Sequence, residues 1–296
     1  MKVLLTGATG FTGSRVLPLI VAQATRVRCL VRSAEKAAGP EGLGAEIVLG
    51  DMGDPAALAR AFAGCDTLVN IASMGFGHGP LIVRAAQAAG VRRAIFMSTT
   101  AIFTSLNVKS KTVRLQAETA VRGSGLEWTI LRPTMIYGSD RDRNICRLIW
   151  YLRRFPVLPV FGNGDSLLQP VYVDDLAAGV IAALRTEATV RKEYNLAGDR
   201  PMTFNLLVRT VSALMGRKTR FWHLPGPLAV KTLWLAEHCR IKLPLKSEQV
   251  ARLFEDKVFS WADAGRDFGY APRSFAEGVR LEIHSMGLPA TAPGLA

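Results

Sequence analysis

Short apolar runs alternate with helical spacings along the first half of the chain. KVLLT (2–6), RVRCLV (26–31), EIVL (46–49), DTLVNIA (66–72), RRAIFMS (92–98) and EWTILR (127–132) have the length and residue types of buried strands. Between them, PAALARAFAG (55–64) and LIVRAAQAAG (81–90) set apolar residues at helical intervals, the second ending on a glycine suited to a helix C-cap. Strand, helix, strand in this order predicts an α/β fold. Right-handed crossovers make it a doubly wound parallel sheet covered on both faces.

Beyond about residue 135 the pattern loosens, and proline and glycine punctuate it, as in RRFPVLPVFGNGDS (153–166). Helical pieces are expected near 174–186, 203–216, 226–239 and 274–286. The organisation read from this is a dinucleotide-type sheet domain over 1–135, with segments near 169–198 returning to it. A smaller mixed lobe covers 136–286, and a disordered tail covers 287–296. Within the lobe, DRDRNICRLIWYLRRF (140–155) carries an apolar stripe of Ile145, Leu148, Ile149, Leu152 and Phe155, with Arg147, Arg153 and Arg154 largely off it. Such a helix buries its stripe in a core or offers it to a membrane or partner. LAVKTLWLAEHCRIKLPLK (228–246) has the same basic, apolar character.

Composition adds a net charge of +13 in 296 residues and a mean hydropathy of +0.19. Arginine supplies 27 of the 37 basic residues, with no long basic run, so a solvated basic surface is favoured over a nucleic-acid partner. A peripheral membrane contact stays open. No apolar run is long enough to span a bilayer, and MKVLLTGATG reads as a strand entering a glycine loop rather than a signal peptide. Cys29, Cys65, Cys146 and Cys239 lack metal spacing and read as reduced thiols of a cytoplasmic protein. His78, His223, His238 and His284 show no metal spacing either, so no metal is expected.

TGATGFTG (6–13) follows the first strand and opens a helix. Gly7 permits the tight turn, Gly10 lets backbone approach a pyrophosphate, and Gly13 allows close helix–sheet packing. The helix N-terminus then offers free N–H groups to phosphate. Thr9, Phe11 and Thr12 complete the loop, and Ala72 and Ser73 follow the fourth strand; all are expected to touch the cofactor. At the end of the second strand, no acid stands before Glu35, and Arg32 occupies the place where a 2′-phosphate would lie. NADP(H) is therefore expected rather than NAD. Asp51 is assigned to the adenine amino group, Met52 to the ring beside it, and Asp54 to the N-cap of the helix from Pro55.

With these motifs the chain resembles the extended or atypical short-chain dehydrogenases, the epimerase/dehydratase-like enzymes. FMSTTAIF (96–103), WTILRPTMIYG (128–138), QPVYVDDLAAGVIAAL (169–184), YNLAG (194–198) and FGYAPRSFAEGVR (268–280) carry the likeness across nearly the whole chain. The resemblance implies a Rossmann domain on NAD(P). It puts Ser98 near the nicotinamide and Pro133 at the cofactor's amide end. Ser98, Thr99, Tyr137 and Gln169 are the substrate-side candidates.

Active members of that family carry a tyrosine and a lysine four apart on one helix. Here TSLNVKSKTVRLQAE (104–118) holds Ser110 and Arg114 in those places, and the other registers, Asn107 with Lys111 and Ser105 with Lys109, also lack tyrosine. The first tyrosine of the chain is Tyr137, which reads as a packed aromatic before a substitute acid. No catalytic residue is assigned. Leu167, Leu168 and Gln169 replace the basic residues typical of nucleotide-sugar epimerases. QPVYVDDLA instead resembles the branch holding the dehydrogenase-like accessory subunit of respiratory complex I. Of Asp174 and Asp175, one is expected to cap the helix from Leu176 and the other to bind core backbone. Two functions remain. One is an NADP(H)-binding protein with a binding, assembly or redox-sensing role and a small-molecule or protein partner. The other is an oxidoreductase or epimerase-like enzyme with a non-standard acid and a hydrophobic substrate, which would fill an apolar pocket by the nicotinamide.

Overall fold

The computed structural model describes residues 1–24, 26–106, 109–226, 231 and 251–290. Each apolar run of the first half forms a strand. β1 (Lys2–Thr6), β2 (Arg26–Val31), β3 (Glu46–Leu49), β4 (Thr67–Asn70), β5 (Arg93–Met97) and β6 (Glu127–Pro133) are joined by β11 (Lys192–Leu196) in one seven-stranded sheet. The order is β11-β6-β5-β4-β1-β2-β3, and every pairing is parallel. The chain therefore winds outward from β1 in one direction and then, from β4, in the other. Ligands of such sheets bind at the strands' carboxyl ends beside this switch.

Alternation along the strands fills two cores. Val3 and Leu5 face α1 (Gly13–Val21) and α7 (Val173–Arg185), whose Val16, Leu17, Ile20, Leu176 and Val180 are buried there. Leu4 and Leu68 face the opposite way, onto α3 (Pro55–Phe62), α4 (Gly79–Ala88) and α5 (Lys109–Arg122), through Leu58, Phe62, Ile82, Val83 and Val121. Each such fully buried large side chain contributes about 1.5–3 kcal/mol. α3 starts at its Asp54 cap, which accepts the N–H of Ala56 at 2.9 Å. α5 is tied to the sheet by charge. Glu118, fully buried, accepts two bonds from Arg132 of β6 (2.9 and 2.6 Å) and one from Arg122 (2.7 Å).

A third core joins α6 (Ile145–Arg154), β8 (Val157–Phe161), α8 (Phe204–Leu214) and α10 (Phe275–Ser285), with α9 (Ala262–Phe268) preceding the last. Three short ribbons connect these parts: β7 (Ile136–Tyr137) with β10 (Val171–Tyr172), β9 (Leu167–Leu168) with β12 (Met202–Thr203), and β8 with β13 (Arg220–Leu224). The stripe of α6 is buried through Ile145, Ile149 and Leu152, whereas Phe155 stays 47% exposed. The helix begins at 145, later than the pattern from 140, because the Asp142 carboxylate takes the N–H groups of Asn144 (2.7 Å) and Cys146 (3.2 Å).

Within the stretch 287–296, residues 287–290 are described and make contacts with the rest of the chain. The Leu288 N–H donates to the Ile283 carbonyl at 3.1 Å, and Leu288 and Ala290 pack on the third core. Residues 291–296, the helix expected at 226–239, the 228–246 stretch, Asn107, His238 and Cys239 lie outside the described residues, Gly226 and Lys231 apart. Among the described residues no helix is long and apolar enough to cross a membrane, and Cys29, Cys65 and Cys146 are buried free thiols.

Candidate functional site

The carboxyl ends of β1, β2, β3 and β4 enclose a cavity of about 500 Å3. Gly7, Thr9, Gly10, Phe11, Thr12 and Gly13 line one side of it, Arg32, Asp51 and Met52 a second, and Ala72 and Ser73 a third. The glycine loop forms a cradle that side chains would fill. Gly7 has a φ of +76°, and a Cβ there would lie 2.7 Å from the Ala72 nitrogen. A Cβ on Gly13 would overlap the Gly7 carbonyl oxygen. Backbone so exposed at the start of α1 suits a pyrophosphate, so these residues fit a dinucleotide.

Arg32 is exposed at the cavity's edge and has no hydrogen-bond or ion-pair partner among the described residues. Asp51 folds its own turn by accepting the Gly53 N–H at 2.8 Å and still lines the cavity. Phe76, 68% exposed, and His78 also line it. The reading of the sequence did not include them, because both lie beyond the apolar run of β4. Arg141 reaches in from the loop before α6, donating to the Thr9 carbonyl at 2.8 Å and to Ser14 Oγ at 3.2 Å.

Further along the same edge, at the ends of β5 and β6, lies a larger pocket of about 970 Å3. Thr99, Thr100, Phe103 and Thr104 come from the loop after β5, Thr134 and Met135 from the end of β6, and Arg143, Ile145 and Leu148 from the start of α6. Leu168, Phe204 and Leu207 add apolar surface. Residues 252–259 close one side, with Leu253 and Phe259 among apolar contacts and Arg252, Glu255, Asp256 and Lys257 as charges. Glu255 fastens this strap by accepting from Thr104 Oγ1 (2.6 Å) and the Ser105 N–H (2.8 Å). Burial, with Arg252 nearby and despite the Glu255 carboxylate, pulls the Lys257 pKa below its usual value; its Nζ donates to the Arg252 carbonyl at 2.6 Å.

Ser98 leads into that loop. Its N–H donates to the Leu131 carbonyl at 2.8 Å, while its buried Oγ has no hydrogen-bond partner among the described residues. Pro133 ends β6 and accepts from Thr100 Oγ1 at 3.2 Å, but lines neither cavity. On α5, Arg114 folds back toward the Ser110 carbonyl (3.2 Å) and lies against the turn at 74–76, where a Cβ on Gly75 would sit 2.9 Å from Arg114 Nη2. Burial, then Arg252, lowers its pKa. The guanidinium thus crosses to the turn that carries Phe76 on the cofactor cavity's wall.

Two of the substrate-side candidates, Tyr137 and Gln169, do not line the large pocket. Tyr137 is 1% exposed in the third core, against Tyr172 and Phe275, with its hydroxyl 3.4 Å from the Phe275 carbonyl. Burial pushes its pKa well above the usual value, so it is a packed aromatic away from the pocket. Gln169 is a brace: Nε2 donates to the Gly198 carbonyl (2.8 Å) and Oε1 accepts the Phe259 N–H (3.0 Å). It borders a smaller cavity of about 320 Å3 beside Trp261 instead. Of the two aspartates, Asp175 binds backbone as expected of one of them, whereas the expected cap is not made. α7 starts at Val173, and no side chain caps it. Asp174 pairs with Arg15 (3.4 Å), and Asp175 holds the Arg273 N–H and guanidinium (2.9 and 2.8 Å).

Comparison with known proteins follows the same line. The ceramide reductase of Caulobacter vibrioides is 31% identical over 237 residues, covering 76% of this chain and 74% of that protein. The chain belongs to the NAD(P)-binding, epimerase/dehydratase-like short-chain dehydrogenases. The NAD(P)H-binding family model matches residues 7–148, and the model of the NAD dependent epimerase/dehydratase family matches 108–197. This short-chain dehydrogenase is also similar to a (4-alkanoyl-5-oxo-2,5-dihydrofuran-3-yl)methyl phosphate reductase of Streptomyces griseus, 30% identical over 80% of this chain and 81% of that one. A third relative is the mitochondrial NADH dehydrogenase 1 alpha subcomplex subunit 9 of Arabidopsis thaliana. It is 28% identical over 58% of this chain and 44% of that protein. The residues lining the 500 Å3 cavity all fall within the segment that the first family model covers.

Proposed function

We propose that this short-chain dehydrogenase is an NADP(H)-dependent reductase of an amphipathic carbonyl compound: an alkyl or acyl chain carrying a polar or anionic head. The observation that carries the reading is the 970 Å3 apolar pocket beside Thr99 and Thr100, on the same sheet edge as the dinucleotide cavity. Its size is that of a small-molecule site. Its walls suit a chain, and Arg143 suits a head with negative charge. The relatives named as reductases of ceramide and of an alkanoyl-bearing phosphate support the same chemical class.

The glycine loop would hold the pyrophosphate, and Arg32, free of other partners among the described residues, would pair with a 2′-phosphate. Bound NADPH supplies the hydride, and a carbonyl taking it up needs one proton to become the alcohol. In this chain no tyrosine offers that proton from α5. Lys257 is the pocket's candidate, since burial makes its ammonium a stronger acid, and Ser98 Oγ is a buried hydroxyl with donor capacity to spare. The loss of a positioned tyrosine, worth about 10²–10⁴ in rate, makes turnover slow.

A second reading keeps the cofactor and drops the chemistry: a dinucleotide-binding assembly or sensing protein. Ser110 and Arg114 at the helix positions favour it. NADPH-consumption assays with long-chain 3-oxo esters and with nucleotide sugars separate the two. Consumption with the 3-oxo esters alone supports the reductase. Tight NADPH binding with no consumption on either set supports the second reading.

A further inference from the structure

We infer that the outer end of α6 and the β8/β13 ribbon form a docking surface for an anionic lipid bilayer. The surface stands on its own residues, whatever the pocket holds.

Parallel pairing sets Val157 beside Arg220 and Pro159 beside Trp222. Alternation turns Leu158 and Val160 into the third core (8% and 3% exposed) and leaves the other set facing out. Trp222 is 63% exposed, and Phe155 and Val157 are 47% and 38% exposed. Trp150, on the last turns of α6, is 47% exposed, with the Arg153 guanidinium 5.3 Å from its ring centroid. The patch is continuous. Tyr151 Oη donates to the Val157 carbonyl at 3.1 Å, and the Arg220 N–H donates to the Pro156 carbonyl at 2.9 Å.

Along its own segments the charge has one sign. The sequence holds no Asp or Glu from 143 to 164, nor from 200 to 226. Arg147, Arg153, Arg154, Arg217, Lys218 and Arg220 are exposed and make no ion pair among the described residues. Tryptophans set among unpaired cations suit the headgroup layer, where the rings sit at the interface and the cations meet lipid phosphates. Val157, Pro159 and Phe155 argue against nucleic acid, because two of these three have no planar face for bases. α6 also walls the large pocket through Ile145 and Leu148, so a docked chain would bring that wall close to the bilayer.

The test is vesicle co-sedimentation of the full chain, with phosphatidylcholine alone and mixed with phosphatidylglycerol. The expected result is binding to the mixed vesicles only, weakened by salt. Trp150→Ala with Trp222→Ala, and separately Arg153→Glu with Arg154→Glu and Arg220→Glu, should each lower it by about tenfold or more. NADPH binding, read in parallel, should be unchanged in both variants and so report that they fold. Absence of vesicle binding would overturn the proposal, as would binding indifferent to both variants. So would dimerisation in sedimentation velocity that these variants abolish, or oligonucleotide binding through the same residues without vesicle binding.

Discussion

Arg141 donates to the carbonyl oxygen of Thr9 at 2.8 Å, joining the loop before α6 to the glycine loop. The bond spans 132 residues of sequence and fixes the loop from outside the first βαβ unit. Arg141→Ala should loosen the loop without touching the ribose end. NADPH and NADH should both bind about fivefold more weakly, matching about 1 kcal/mol for one exposed charge-assisted bond. Fluorescence titration of both cofactors reads this, and an unchanged pair of affinities would show that the contact is idle.

Arg32 should act differently. It faces the cavity from the end of β2 with no competing partner among the described residues. NADPH should bind more tightly than NADH in the parent protein. Arg32→Ala should cost NADPH about 1.5–3 kcal/mol and leave NADH nearly unaffected. Equal affinities in the parent would refute the assignment.

Glu282 on α10 gives a pH dependence. It is fully buried, and neither carboxyl oxygen meets a hydrogen-bond partner in normal geometry among the described residues. Burial, then the neighbouring Asp142 carboxylate, raises its pKa from 4.5 to about 10. The folded state keeps a proton that the unfolded chain sheds above 4.5. Stability present at pH 4 is therefore lost as pH rises towards 10, at a slope of about 1.4 kcal/mol per unit from this group. Glu282→Gln should match the parent near pH 4.5 and exceed it at pH 8 by a few kcal/mol (about) in urea denaturation. A gap independent of pH would contradict the buried neutral acid.

Glu118 should be costly to remove. It is fully buried and holds Arg132 and Arg122, with Glu193 completing the network from β11. Glu118→Ala strands the Arg132 charge with Glu193 alone and should destabilise by about 3 kcal/mol. Chemical denaturation measures it. A loss under about 1 kcal/mol would mean that the network is solvated.

Much of this was legible in the sequence, for reasons that individual residues show. Strands such as RAIFM are buried on both faces, so their apolar runs mark them without tertiary information, and Gly7 and Gly13 are required by local geometry. The large pocket was not legible. Arg143, Phe204 and Lys257 arrive from three separate segments, and no spacing links them. Tyr137 and Gln169 sit in motifs that suggested substrate contact, yet the chain turns both into packing and bracing. The start of α6 depended on one carboxylate, Asp142, that competes with helix for the same N–H groups.

The substrate chemistry proposed for the chain rests on the pocket beside Thr99. The most direct measurement is kcat/KM for NADPH-dependent reduction of a 3-oxo ester series of increasing chain length. Each added methylene buried against Leu148, Phe204 and Leu207 should contribute up to about 0.8 kcal/mol, roughly fourfold, until the pocket fills. Leu148→Arg should flatten that rise while leaving NADPH affinity intact. A kcat/KM independent of chain length, or unaffected by Leu148→Arg, would contradict the assignment of the pocket to the substrate.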